Sequence, residues 1–233
     1  MRGGCLFTLL PFLVDHWYIS HLTWGVPLIS QLEADLAMAV ATFEPFLSSS
    51  SGSRSTSVLH QPAFALRHYT HTRPTDSAAA HLYALICERI GLIGESVTAL
   101  EKATELLEQE FETSESTEIE HRYTIALLNL GRVRLAGRIY DTSLEAFTNS
   151  FELLSGSQHP DAGRLRIQAR LGQALAQYWL GQVDESLESF QHALDEAGGQ
   201  GDKEVVAVLL ARTLWGLGGD DAHDLAKSQL MEW

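Results

Sequence analysis

The sequence predicts an all-α protein built as a solenoid of antiparallel helix pairs. Apolar residues recur three and four positions apart through most of the 233 residues, as in Leu144, Phe147, Phe151 and Leu154, and this spacing places them on one helix face. No segment shows the alternation of polar and apolar residues that is typical of a half-buried strand. One short pattern also recurs along the chain, so neighbouring helices are expected to pack as equivalent units.

The composition is that of a folded protein with an acidic surface. Hydrophobic residues make up 45% of the chain and charged residues 20%, which argues against wholesale disorder. The formal charge of −14 argues against a surface made mainly to bind nucleic-acid phosphates, because such a surface needs clustered Lys and Arg. The two cysteines, Cys5 and Cys87, are far apart, which excludes a disulfide framework and a cysteine-based zinc site.

The first 60 residues form a section of their own in the sequence. Residues 1–25 are an apolar N-terminal segment whose role stays open between a buried helix, a targeting signal and a start that does not belong to the protein, although no small-residue cleavage site follows its apolar run. Residues 26–60 are expected to form an amphipathic helix followed by a flexible, Ser-rich loop at 48–57.

The recurring pattern defines the packing unit. Residues 141–147 recur as residues 184–190, and a third copy lies at 95–103. In each copy a small residue is followed four positions later by a large apolar residue and seven positions later by a small one, all on one helix face. The small residues allow two helix backbones to approach, and the large one fills the gap between neighbouring pairs. The trios are Ser96, Leu100 and Ala103; Ser143, Phe147 and Ser150; and Ser186, Phe190 and Ala193.

Each copy follows another predicted helix that ends beside a glycine. These helices span 78–90, 124–136 and 167–180, and the glycines are Gly91, Gly137 and Gly181. Glycine suits the left-handed residue that ends a helix and lets the chain reverse. Asp141 and Asp184 are expected to be the N-caps of the returning helices. Residues 101–120 contain eight glutamates, and their second half is expected to be a solvated turn.

The helix–turn–helix unit resembles the tetratricopeptide repeat (TPR). That family marks its first helix with a Leu-Gly pair, matched here by Leu130 and Gly131, and its second with the small–large–small trio. The Leu171-Gly172 pair is two residues out of frame. The resemblance implies an array over residues 61–233, with clear repeats at about 77–110, 124–155 and 167–197 and a degenerate terminal pair at about 203–231.

A closer resemblance is to the tetratricopeptide subunits of superkiller complexes. It is carried by residues 81–91, 129–135, 209–215 and 226–230. It implies a fragment of a long, non-enzymatic scaffold in the cytoplasm, with a nuclear location also possible. The implied partners are an RNA helicase subunit and WD40-repeat subunits that support 3′-to-5′ mRNA decay by the exosome. It implies at most indirect RNA contact and no membrane, small-molecule substrate or cofactor.

The family lines the inner, concave side of its arrays with residues from the first helices. The resemblance therefore assigns partner binding to Arg89, Asn129, Arg132, Gln168, Tyr178 and Trp179. Tyr178 and Trp179 could equally be packing residues between helix pairs. A chaperone-type carboxylate clamp is disfavoured because apolar residues occupy many groove positions: Leu128, Leu135, Ala136, Leu171 and Leu175.

Two alternative functions stay open. One is a generic TPR adaptor that binds chaperones or signalling proteins in another pathway. The other is a metal-dependent enzyme with a site at His68, His71 and Asp76, although no His-Glu-x-x-His spacing occurs. No residue is assigned a catalytic, cofactor-binding or metal-binding role, and Cys87 is expected to be a small core residue.

Overall fold

The computed structural model describes residues 59–114 and 116–232, and its regular elements in those ranges are α-helices. This confirms the predicted all-α fold class. The expectations for residues 1–25, and for all but the last two of residues 26–60, lie outside the described residues. The helices are α1 (His60–Thr72), α2 (Ser77–Arg89), α3 (Ile93–Thr113), α4 (Thr117–Ala136), α5 (Tyr140–Gly156), α6 (Ala162–Trp179), α7 (Val183–Glu196), α8 (Gln200–Leu217) and α9 (Asp220–Glu232).

The described residues belong to two compact units, of which the first ends at Leu92 and contains α1 and α2. Asp76 caps α2, because its Oδ1 accepts a hydrogen bond from the backbone N–H of Ala79 at 2.9 Å. Its Oδ2 accepts a second bond from the Tyr69 hydroxyl at 3.0 Å. Tyr69 and Ala79 pack together in the interior. One carboxylate thus joins the start of α2 to α1.

The second unit, from Ile93 onward, is a stack of helical hairpins. Each of the helices α3 to α9 contacts the next one in sequence. The first helices of successive hairpins also touch, since α4 contacts α6 and α6 contacts α8. No hairpin of this kind buries its apolar stripe alone, so the core depends on contact between neighbours. None of the described helices is both long and apolar enough to span a lipid bilayer.

Buried serine hydroxyls join the two helices of a hairpin. The Ser143 hydroxyl donates to the backbone carbonyl of Gly131, and the Ser186 hydroxyl donates to that of Ala174, both at 2.7 Å. Both serines are fully buried. The equal separation of twelve residues makes Gly131 and Ala174 equivalent positions. A small residue is needed at the start of each trio because the helix backbones approach to within reach of one short side chain.

Phe147 explains why the Leu171-Gly172 pair is out of frame. A Cβ atom placed on Gly131 would lie 3.0 Å from ring carbons of Phe147, and one placed on Gly172 would overlap the same ring. The ring therefore lies against glycines of α4 and α6 at once. Gly172 packs against Phe147 of the preceding hairpin, whereas Ala174 accepts the Ser186 hydrogen bond within its own hairpin.

The turn between α4 and α5 differs from the prediction. Gly91 and Gly181 are left-handed, with φ of 84° and 80°, but Gly137 has φ of −77° and the left-handed residue is Arg138, with φ of 62°. The backbone of Gly137 continues the helical conformation for one further residue, so the chain reverses one position later than predicted. The glycine therefore predicts that a turn occurs here, but not which residue of the turn takes the left-handed conformation.

The predicted N-caps are also wrong by two residues. The N-cap positions are Ile139 and Gln182, so Asp141 and Asp184 lie inside the first turns of α5 and α7. Acidic side chains there interact favourably with the partial positive charge at the helix N-terminus, which explains why aspartate marks both helices without capping them.

The Glu-rich segment is more helical than predicted. Helix α3 continues to Thr113 and α4 begins at Thr117, so the connection spans only residues 114–116. Glutamate is a good helix former when its side chain faces solvent. The run of acidic residues therefore reflects the exposed faces of two helices and not an extended turn.

Candidate functional site

A groove lies between α4 and α6 in the second unit. It has a volume of about 390 Å³, which falls within the range of ligand pockets. Its base is formed by the Phe147 ring and Gly172. Its apolar walls are formed by leucines of the two first helices: Leu128, Leu135, Leu171 and Leu175. We call this the α4–α6 groove.

Three polar side chains complete the lining of the α4–α6 groove. Asn129 and Arg132 belong to α4 and Gln168 belongs to α6. The Arg132 guanidinium donates a hydrogen bond to Oδ1 of Asn129 at 3.1 Å. Arg132 and Gln168 are exposed to solvent. The groove thus combines an apolar base with amide and guanidinium groups, which suits a peptide segment that inserts an apolar side chain and presents carbonyl or carboxylate oxygens.

The other three predicted binding residues are not among those that line this groove. Arg89 is exposed on α2, in the first unit. Tyr178 is half-buried and its hydroxyl lies against Gly216 of α8, 2.6 Å from the position of a Cβ there. Trp179 is 57% exposed and stacks on Tyr140, with ring centroids 5.8 Å apart. Tyr178 is therefore a contact between hairpins, whereas Trp179 stacks on α5 and meets the Tyr178 ring edge to face, with centroids 5.2 Å apart.

Two other arginines of α4 are paired with glutamates of α3. The Arg134 guanidinium forms an ion pair with Glu101 at 2.9 Å and donates to the Thr142 carbonyl at 3.1 Å. Arg122 lies 3.8 Å from Glu110. The two ion pairs join α3 to α4, and they compete with any phosphate that would bind the same guanidinium groups.

A pair of histidines that no sequence motif indicated lies where α4 meets the α5–α6 turn. The rings of His121 and His159 stack with centroids 3.6 Å apart and planes 13° from parallel. Nδ1 of His159 accepts a hydrogen bond from the backbone N–H of Asp161 at 3.2 Å. The two histidines are 38 positions apart, so no local spacing could have indicated that they meet.

Among the described residues, the side chains best placed to hold a metal ion are His121, His159 and Asp161, whose donor atoms lie within 4.8 Å of one another. Ligands of a tetrahedral zinc ion lie about 3.3 Å apart, and the lone pairs of two parallel rings do not converge on one point. The arrangement is therefore a stacked pair and not a formed coordination sphere. The carboxylate of the hypothetical site at His68, His71 and Asp76 is occupied as the cap of α2.

The histidine pair predicts a loss of stability in acid. Burial and the neighbouring His159 hold the pKa of His121 below its usual value, against the opposing pull of Glu118 and Asp161. The unfolded chain then binds more protons than the folded one, so stability falls as pH drops below about 6.5. We expect His121→Gln to lose less stability than the native chain between about pH 7.5 and about pH 5.5, as measured by urea unfolding.

The matched control for this prediction is His192→Gln. His192 is exposed and lies 3.6 Å from Glu188, so its removal should leave the acid sensitivity of the native chain in place. If His121→Gln and the native chain lost equal stability in acid, the stacked pair would not be the cause.

The sequence is similar to part of a much longer protein, although no protein-family model matches it. Superkiller protein 3 of Schizosaccharomyces pombe is 32% identical over 169 residues, which cover 72% of this chain and 12% of that protein. Superkiller protein 3 of Saccharomyces cerevisiae is 22% identical over 171 residues, which cover 73% of this chain and 12% of that protein. The chain therefore matches a small part of each of these curated relatives.

Solved structures of other proteins share the fold of this chain. Kinesin light chain TPR-like repeats from Podosopora anserina superpose with a TM-score of 0.63 and 16% identity, over 89% of this chain and 96% of that one. The protein MamA superposes with a TM-score of 0.55 and 14% identity, over 76% of this chain and 88% of that one. At these identities the likeness shows the architecture alone.

Proposed function

Since the chain is a tetratricopeptide-repeat protein that resembles superkiller protein 3, we propose that it is a non-enzymatic scaffold in a superkiller-like complex. In this role it holds an RNA helicase subunit and WD40-repeat subunits in the cytoplasm, so that mRNA is supplied to the exosome for 3′-to-5′ decay. The similarity in sequence to superkiller protein 3 supports the choice of complex. The TPR-like fold supports the role of scaffold.

The observation that carries the proposal is the α4–α6 groove. Its apolar base offers burial to a partner side chain, and Asn129, Arg132 and Gln168 offer polar contacts beside it. A few well-packed anchors supply most of the affinity at a protein interface. The groove thus suits a partner segment with one or two apolar anchors.

Contact with RNA is indirect in this proposal. Arg134 and Arg122 are engaged by Glu101 and Glu110, and the chain as a whole carries a formal charge of −14. A path for RNA needs a continuous basic surface with aromatic stacking positions. The helicase partner is therefore the component that holds the RNA.

The test is direct binding of the full chain to purified helicase and WD40 subunits. Arg132→Glu reverses a charge beside the groove and should weaken binding about tenfold or more, because a like charge or a lost pair at an interface costs on the order of 1.4 kcal/mol. The dissociation constant is measured by calorimetry, and circular dichroism checks that the variant is folded.

Arg138→Glu supplies the matched control, since Arg138 is exposed in the α4–α5 turn and does not line the groove. We expect it to bind within about twofold of the native chain. Failure of the native chain to bind either subunit would contradict the choice of complex. Binding that Arg132→Glu and Arg138→Glu affect equally would contradict the groove.

A further inference from the structure

Two arginines of α6 reach toward the second helices of two hairpins, α5 and α7. The Arg170 guanidinium lies over the Phe151 ring of α5, with its Cζ 3.8 Å from the ring centroid. The Nε of Arg166 lies 3.6 Å from Oε2 of Glu196 on α7. Residues four positions apart on a helix are surface neighbours, with about 5–6 Å between their Cβ atoms. We call Arg166 and Arg170 the α6 arginine pair.

The positive charge of the α6 arginine pair is incompletely neutralised by the described residues. No carboxylate of the described ranges forms an ion pair with Arg170, and its Nε is buried without a hydrogen-bond partner. The Nε of Arg166 is also buried without such a partner, because 3.6 Å to Glu196 is too long for a hydrogen bond. Buried polar groups are normally hydrogen-bonded, so two exceptions on neighbouring side chains indicate a role other than packing.

The Arg170 guanidinium is held in place from two directions. The Phe151 ring supports its face, and its Nη1 donates a hydrogen bond to Oε1 of Gln173 at 3.4 Å. Gln173 is buried and donates in turn to the Thr148 hydroxyl at 3.1 Å. Nη2 of Arg170 has no partner among the described residues and is not buried, so it is the donor that a ligand reaches first. A guanidinium fixed in this way loses little conformational freedom when it binds an anion.

A phosphate monoester matches the α6 arginine pair better than a carboxylate or a nucleic acid does. It carries about −1.5 to −2 charges at neutral pH and three acceptor oxygens, so it can accept from two guanidinium groups at once. A carboxylate has two oxygens, which one guanidinium already satisfies. A strand of RNA needs a continuous basic surface, whereas Glu152 on α5 and Glu196 on α7 place carboxylates beside the pair. These carboxylates favour a single phosphate with basic residues next to it.

We propose that the α6 arginine pair binds one phosphoserine or phosphothreonine of a partner protein, in a segment with basic residues beside the phosphorylated one. The phosphate takes the place of Glu196 at Arg166, because a partly exposed ion pair of this kind contributes little to stability. Neither arginine lines the α4–α6 groove, so the phosphate site is distinct from that groove. This proposal does not depend on the proposed function.

The test is fluorescence anisotropy of the full chain with a labelled peptide that carries one phosphoserine between lysines. The phosphorylated peptide should bind about tenfold more tightly than its unphosphorylated form, because only the phosphate contacts both guanidinium groups. Arg170→Gln and Arg166→Gln should each weaken binding of the phosphopeptide about tenfold, since each removes one of the two charged donors. Glu196→Gln should strengthen it about threefold, because it removes the carboxylate that competes for Arg166.

Arg164→Gln is the matched control, since it removes the same charge from the same helix. The Arg164 side chain is 63% exposed and lies 4.0 Å from Asp161, so its loss should change binding by no more than about twofold. Circular dichroism checks that each variant is folded. If Arg170→Gln unfolds, Arg166→Gln decides the result, because the Arg166 side chain is 38% exposed.

Two further probes separate a phosphorylated protein from other anions. They are the same peptide with glutamate in place of phosphoserine, and a labelled hexauridylate RNA. We expect both to bind more weakly than the phosphopeptide. The proposal is overturned if the glutamate peptide or the unphosphorylated peptide binds as tightly, or if Arg164→Gln weakens binding as much as Arg170→Gln. RNA that binds more tightly than the phosphopeptide, and loses affinity in Arg170→Gln, would assign the site to nucleic acid instead.

Discussion

Phe190→Ala will lower the free energy of unfolding by about 3–5 kcal/mol, the usual cost of removing a fully buried phenylalanine. Phe190 is 0% exposed and lies in a core cluster with residues of α6, α7 and α8. Its removal opens a cavity at the point where two hairpins depend on each other for burial. Urea unfolding followed by circular dichroism measures the loss.

The control for this experiment is Phe64→Ala. Phe64 is 70% exposed on α1, and substitutions at such surface positions usually change stability by no more than about 0.5 kcal/mol. A loss at Phe190 as small as that at Phe64 would mean that the hairpins do not share a core.

Gly172→Ala should destabilise the protein by about 1–3 kcal/mol, although alanine favours the helical conformation by about 1 kcal/mol over glycine. A Cβ atom at Gly172 overlaps the Phe147 ring, which is itself buried against Gly131 and has little room to move. The gain in helix propensity is therefore smaller than the cost of displacing the ring. Thermal and urea unfolding both report the net change.

Helix α6 offers a matched control in Gly163, where an added Cβ meets nothing within 4 Å. Gly163→Ala should be neutral or stabilising by up to about 1 kcal/mol. Introducing Gly172→Ala into a Phe147→Leu background should also cost less than it does in the native chain, because the overlapping ring is gone. Equal effects of Gly172→Ala and Gly163→Ala on stability would show that the Phe147 ring can move aside at little cost.

Most of the fold that could be predicted from the sequence was predicted from the small–large–small trios. Ser143 and Phe147 lie four positions apart on one helix face. A small and a large residue at this spacing indicate closely packed helices, so the hairpins could be predicted from the sequence. The turn residues were less predictable. Arg138 takes the left-handed conformation beside Gly137, and Asp141 lies inside a helix that Ile139 begins. Local propensity sets where the chain reverses, whereas tertiary packing sets the exact residue.

The candidate site was predictable where the repeat indicates which residues belong to first helices, as for Asn129, Arg132 and Gln168. Asn129 and Arg132 are three positions apart and line the same groove. Tyr178 and Trp179 are adjacent in sequence, so their side chains leave the helix about 100° apart: Tyr178 reaches Gly216 and Trp179 stacks on Tyr140, while the two rings still touch edge to face. His121 and His159 meet only through the packing of α4 against the α5–α6 turn, which no periodicity encodes.

The Phe147 ring packs against the glycines of both α4 and α6, and it also forms the base of the groove. Changes in ligand preference can therefore accumulate in the polar side chains beside the groove at little cost to folding, while the base is held constant by the demands of stability. The residues that determine binding preference are therefore different from those that hold the repeat together.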